Sequence, residues 1–311
     1  MKVKCLLLSL AFIALVFAAC GDDPASPKKK SGPTPFNTSQ MPIILPNTTY
    51  GYGNMAVDGA GNLLVPCETG ILYRVNKTTG APEVVAANVG LSDGGPYDLM
   101  CCVYNPAASR IYAGIESGDP SRIYSINPSN GSSQLLVDLG DNGYICQLLM
   151  APAGFGAFAG YLLVFTYQGG GSGIVAVNPG SPGSPAAVSS VKCNAAAFGP
   201  DGTLYVVDRA NNRVVTVSST GVVTDYLTSL SFMEGIAVNT ANNRMYIARV
   251  GMIGGVDSLY SVTMPGKIIS TLGFQPDLDD GWYPTGVILD GAGKILFNGD
   301  ETAKAIDFFN L

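Results

Sequence analysis

The chain of 311 residues contains no histidine. That absence removes Ser-His-Asp and Cys-His nucleophilic catalysis, histidine general bases and the usual zinc enzyme sites. Any catalysis must run on carboxylates, Lys, Tyr, Cys or a metal held by oxygen. Charge is also scarce, at 13% of residues, while apolar residues make up 47%. Such a chain buries a large core and is not disordered. The few charges lean acidic, with a net of −6, and losing Lys2 and Lys4 with a leader makes the balance more negative. An acidic surface argues against nucleic acid or an anionic lipid surface as the main partner and is compatible with a cation. The 39 glycines and 20 prolines signal many turns. The length fits one large β domain or two ordinary ones.

Lys2 and Lys4 precede an apolar run from Cys5 to Ala19 broken only by Ser9, followed by Cys20. A basic start, a short apolar middle and small residues at the end make a secretory leader over 1–19. The run is shorter than the roughly 20 apolar residues that span a bilayer. Phe17-Ala18-Ala19-Cys20 resembles the lipobox of bacterial lipoproteins, with Phe17 where that family usually has Leu. The resemblance implies cleavage before Cys20 and a lipid on Cys20. It places the protein on the bacterial cell envelope, periplasmic or surface-exposed, with the membrane as a partner through that lipid. Residues 20–40 carry prolines and the triplet Lys28-Lys29-Lys30, and read as a flexible tether.

From 41 to 311 a unit recurs. Its clearest copy runs from Asn194 to Leu227: Ala195–Phe198, a turn at Pro200-Asp201-Gly202, Thr203–Val207, a polar loop, Arg213–Val217, another turn and Val222–Leu227. Turn residues between β-branched and aromatic runs are the hairpin signal. Similar first strands begin near Met55, Leu99, Leu148, Gly235 and Gly286. Repeats of this length, each unable to bury both faces alone, predict a β-propeller. The expectation is an all-β, six-bladed β-propeller of four-stranded antiparallel blades. The last unit has three strands, and Met41–Pro46 supplies the fourth, closing the ring and removing the open edge.

Val207-Asp208-Arg-Ala-Asn-Asn212-Arg213-Val-Val resembles the NHL-repeat motif. The domain is similar to propellers of the NHL, gluconolactonase-like and TolB-like group. In such propellers the first strand starts, and the second strand ends, at one mouth of a central channel. The residues just before the six first strands are Asn54, Asp98, Gln147, Asn194, Glu234 and Thr285, all oxygen-bearing. They form the candidate ligand ring. Oxygen groups at a narrow mouth suit calcium, which takes roughly six to eight oxygens. The position at the ends of the second strands holds Glu68, Glu116, Gln168, Asp208, Arg249 and Asp300, and loops toward that mouth add Asp93, Asp141, Asp277, Asp279 and Asp280.

Gluconolactonase-like enzymes hold a divalent metal at this mouth. The resemblance implies Asp98, Asn194 and Glu234 as metal ligands, with Ca2+ or another divalent cation as cofactor. It also implies Glu234 or Asp208 as base and Arg249 as oxyanion charge for lactone hydrolysis. The order of these residues along the chain departs from the family's, so the primary expectation is a monomeric, non-catalytic propeller. It binds a ligand, cation or partner at an acidic channel mouth. The metal-dependent lactonase is the alternative. Tyr52, Tyr97, Tyr144, Trp282 and Tyr283 near the acids suit a protein or carbohydrate ligand. Cys67, Cys101, Cys102, Cys146 and Cys193 allow one or two bridges in an exported protein, with the pairing open.

Overall fold

The computed structural model describes residues 36–37, 39, 43–46, 54–67, 70–91, 98–116, 121–140, 143–167, 173–228, 230–249, 257–275, 284–300 and 305–311. They belong to one compact unit, Pro35–Leu311. The expected leader, the Cys20 lipidation site and almost all of the tether lie outside the described residues. Among the described residues no helix is long and apolar enough to cross a membrane.

Five blades are each formed from four consecutive strands. After β1 (Ile43–Ile44), the first takes β2 (Ala56–Val57), β3 (Leu63–Cys67), β4 (Ile71–Val75) and β5 (Pro82–Ala86). The second takes β6 (Asp98–Asn105), β7 (Arg110–Glu116), β8 (Arg122–Ile126) and β9 (Ser133–Asp138). The third takes β10 (Tyr144–Met150), β11 (Leu162–Tyr167), β12 (Ile174–Val177) and β13 (Ala186–Ser189). The fourth takes β14 (Ala195–Phe198), β15 (Leu204–Asp208), β16 (Arg213–Val217) and β17 (Val223–Leu227). The fifth takes β18 (Met233–Asn239), β19 (Arg244–Arg249), β20 (Asp257–Thr263) and β21 (Ile269–Gln275).

The remaining four-stranded sheet is a composite. It joins β22 (Pro284–Leu289), β23 (Ile295–Asp300) and β24 (Ala305–Asn310) to β1, in the order β1-β24-β23-β22. The expectation of a six-bladed propeller is thereby corrected to five contiguous four-stranded blades, with β22–β24 completed by β1 as the remaining sheet. Of the expected closing strand Met41–Pro46, Met41 and Pro42 lie outside the described residues. Among the described residues Ile43 and Ile44 pair, with Ile306 and Ala305.

Local chemistry sets the hairpins. Between β14 and β15 the Gly199 N–H donates to Thr203 O at 2.8 Å, and Asp201 Oδ1 accepts from Thr203 N–H at 3.0 Å. Gly202 sits there at φ +79°, a conformation costly for any residue with a Cβ. Apolar layers join successive sheets. Leu163, Phe165, Ala196 and Val206 pack the third blade on the fourth, and Val207, Val214, Met245 and Ile247 the fourth on the fifth. Met55, Leu63 and Val65 meet Phe297 and Ile306, which joins the first blade to the composite sheet.

Candidate functional site

The inner strands β2, β6, β10, β14, β18 and β22 follow one another around the axis. Four of them carry a β-bulge near the end where they begin. The ladder slips at Met100 in β6, Cys146 in β10, Glu234 in β18 and Thr285-Gly286 in β22. A bulge inserts one unpaired residue and re-aims its side chain. The sequence-based ring is therefore out of register in two blades. Where Glu234 occupies the bulge of its blade, the second blade has Met100 and the third has Cys146. Asp98 lies two residues before its bulge, level with Glu116 in the ladder, and Gln147 lies one residue past its own.

The structure brings Asn194 and Glu234 together. Asn194 precedes β14, and its Nδ2 donates to Glu234 Oε2. Arg209, in the helical turn Arg209–Asn211 that follows β15, places Nη1 2.9 Å from Glu234 Oε1. That contact is an ion pair without hydrogen-bond alignment, since Glu234 Oε1 lacks a hydrogen-bond partner. The Glu234 side chain is only 12% exposed. Burial pushes its carboxyl above the ordinary value, while Arg209 and the Asn194 amide pull it back. Asn194 Oδ1 is buried with no hydrogen-bond partner. Above Arg209 lies Tyr167, its ring centroid 5.8 Å from the guanidinium carbon. Tyr167 is the ladder partner of Tyr144, which is exposed. Arg209 and Tyr167 escaped the sequence reasoning. Arg209 is a variable position of the NHL-like run, and Tyr167 sits one residue before the position taken as channel-facing.

Four other expected residues, Asn54, Gln147, Asp208 and Arg249, have structural work. Gln147 Oε1 accepts from the Ala196 N–H and ties β10 to β14. Asn54 is main-chain bonded on both sides of Cys101, with Asn54 N–H to Met100 O at 2.7 Å and Cys102 N–H to Asn54 O at 3.1 Å. Its Nδ2 donates to Cys146 O at 2.6 Å. Its Oδ1 also abuts Gly286, where an added Cβ would sit 1.9 Å away. Asn54 thus spans three sheets. Asp208 is 4% exposed and accepts from Asn211 N–H, from Asn211 Nδ2 and, at 2.8 Å, from Arg213 Nε. Its carboxylate closes the NHL-like turn. Arg249 Nε donates to Ser231 O at 3.2 Å. Thr285, Glu116 and Asp300 are described in backbone only. Glu68, Gln168, Asp93, Asp141, Asp277, Asp279, Asp280, Tyr52, Tyr97, Trp282 and Tyr283 lie outside the described residues.

The donor set does not fit the divalent metal that the gluconolactonase-like resemblance implies. Glu234 Oε2 already accepts from the Asn194 amide, and the Arg209 guanidinium beside Oε1 sets a positive charge where a cation would bind. Among the described residues no group of three or more Cys, Asp or Glu is placed to hold a metal ion. The five described cysteines are all free thiols.

No protein-family model matches the chain, and no curated protein matches it. Solved structures do. One is a virginiamycin B lyase from Staphylococcus aureus, made catalytically inactive by a histidine-to-alanine change and solved with quinupristin. It is 14% identical, with a TM-score of 0.57, covering 86% of this chain and 87% of its own. The PQQ-bound aldose sugar dehydrogenase of Streptomyces coelicolor is 15% identical, with a TM-score of 0.58 and coverage of 90% and 99%. A protein of unknown function from Bacteroides thetaiotaomicron is 12% identical, with a TM-score of 0.62 and coverage of 90% and 75%. At such identities the likeness establishes the fold, and the chain is a β-propeller.

Proposed function

We propose that this propeller is a non-catalytic binding module that takes a hydroxyl-rich, carbohydrate-type ligand at Asn194, Arg209 and Glu234, beside Tyr144 and Tyr167. The observation that carries the reading is the buried, unpartnered Asn194 Oδ1 next to a carboxylate. A buried acceptor without a donor costs about 1–3 kcal/mol. A ligand hydroxyl removes that cost, and its neighbours find the Glu234 carboxylate as acceptor and Arg209 as donor. Tyr144 and Tyr167 offer rings against the apolar face of a sugar. The absence of histidine supports binding over lyase chemistry of the kind lost in the histidine-to-alanine neighbour. The lipobox-like Phe17-Ala18-Ala19-Cys20 supports tethering of the module to a bacterial envelope through acylated Cys20.

Calorimetric titration with neutral mono- and oligosaccharides tests the binding reading. Binding is expected, weakened at least tenfold in Asn194→Ala. No heat with any saccharide, or an unaffected Asn194→Ala, would sink it. Calcium is expected to leave the melting temperature unchanged, because it must displace Arg209 from Glu234. A rise abolished by Glu234→Ala, together with turnover of a lactone, would support the metal-dependent hydrolase instead. Detection of lipid on Cys20 by mass spectrometry tests the tether.

A further inference from the structure

We propose that Cys146 and Cys193 form a reversible disulfide that staples the third blade to the fourth. Cys146 is the bulged residue of β10, and Cys193 stands two residues before β14 on the neighbouring inner strand. The Cys146 Sγ lies 2.6 Å from the Cys193 carbonyl oxygen and 3.2 Å from that of Phe165. The Cys193 thiol is buried and within hydrogen-bonding reach of the Cys146 thiol. Burial, the Cys146 sulfur and Asp208 push its pKa up, with Lys192 opposing. A disulfide needs Cα atoms about 4.4–6.8 Å apart. The Cys146 sulfur already lies against the main chain of Cys193, so the bond would join residues that are in contact.

Of the five described thiols, Cys146 alone is not fully buried, and it is therefore where an oxidant arrives. Cys67 and Cys102 instead point at main-chain oxygens of β3, at 3.7 Å from Val65 O and 3.8 Å from Leu64 O. Cys101 is sealed in the layer between the second and third blades.

The oxidant is a small disulfide of the glutathione type. The Cys146 thiolate attacks one of its sulfurs, forming a mixed disulfide and expelling one thiolate. The deprotonated Cys193 then attacks the Cys146 sulfur, and the second thiolate leaves. The two cysteines lose two protons and two electrons together, and the oxidant becomes two thiols. The bond fixes the main chain directly before Asn194 and stays in place until a reductant opens it.

The test is oxidation of the full, folded chain by oxidised glutathione, followed by alkylation under denaturing conditions and peptide mapping. The expected product is a linked pair of peptides carrying Cys146 and Cys193, lighter by two hydrogen atoms and released by reductant. Cys67, Cys101 and Cys102 should stay fully alkylated. Cys193→Ser should stop at a glutathione adduct on Cys146, with the buried Cys67, Cys101 and Cys102 free of glutathione, which also shows that the variant is folded. A wild-type chain that stops at that adduct with Cys193 still alkylated, bonds through another cysteine, or takes up no oxidant overturns the proposal.

Discussion

Replacing Asp208 by alanine is expected to destabilise the fourth blade by about 2–3 kcal/mol, a figure built from two bonds. The carboxylate caps the turn at Asn211 N–H, an interaction of about 1 kcal/mol. It also holds Arg213 Nε at 2.8 Å, and a hydrogen bond between charged groups is worth about 1.5–3 kcal/mol. The second figure belongs at its low end. The Arg213 side chain is 30% exposed and keeps Asp225 at 2.6 Å, so it rehydrates when Asp208 is gone. For a domain of this size the loss corresponds to a fall in melting temperature of about 4–6 °C. Thermal unfolding followed by circular dichroism measures it, and hydrogen exchange over 209–213 localises it. Asp208→Asn should lose less, because an amide oxygen still accepts from Asn211. A melting temperature within about 1 °C of wild type in Asp208→Ala would refute the structural role argued for this carboxylate.

Glu234→Gln separates burial from pairing. A carboxyl raised by burial takes up its proton more readily in the folded chain than in the unfolded one. Its contribution to stability is full below the unfolded pKa and is lost as pH rises through the folded pKa. Wild type should therefore gain on Glu234→Gln as pH falls from about 7 to 4, in paired thermal melts. A constant difference between the two would contradict the burial argument. Gly286→Ala should cost about 1–3 kcal/mol by overpacking, since the new Cβ meets Asn54 Oδ1. Adding Asn54→Ala should recover part of that loss, a coupling read from a double-mutant cycle of melting temperatures.

The local parts of this fold are written in the chain. Ala195–Phe198, the Pro200-Asp201-Gly202 turn and Arg213–Val217 follow from short-range rules of alternation, φ and side-chain-to-backbone bonding. The composite sheet was legible because one strand precedes the repeats and one is missing at the end. The candidate site was legible only in part. Asn194 and Glu234 were in the ring of oxygen-bearing residues at a repeated position, where Glu234 and Asp98 stood out by residue type. Asp98 and Gln147 stood in the same column of the sequence, yet bulges shift the register of their two blades by a residue or two, and nothing in the spacing announces a bulge.

The sequence by itself determined the all-β class, the repeat, the strand order within each contiguous blade and the lack of histidine chemistry, because these rest on neighbours a few residues apart or on composition alone. Tertiary structure decided the rest. It put Arg209 on Glu234, left Asn194 Oδ1 buried and unpartnered, consumed Asp208 in a turn and laid Cys146 against Cys193. Apart from the Asp208 turn, which is local, those outcomes depend on how neighbouring sheets pack across their apolar layers, a relation between residues tens of positions apart that no local pattern records.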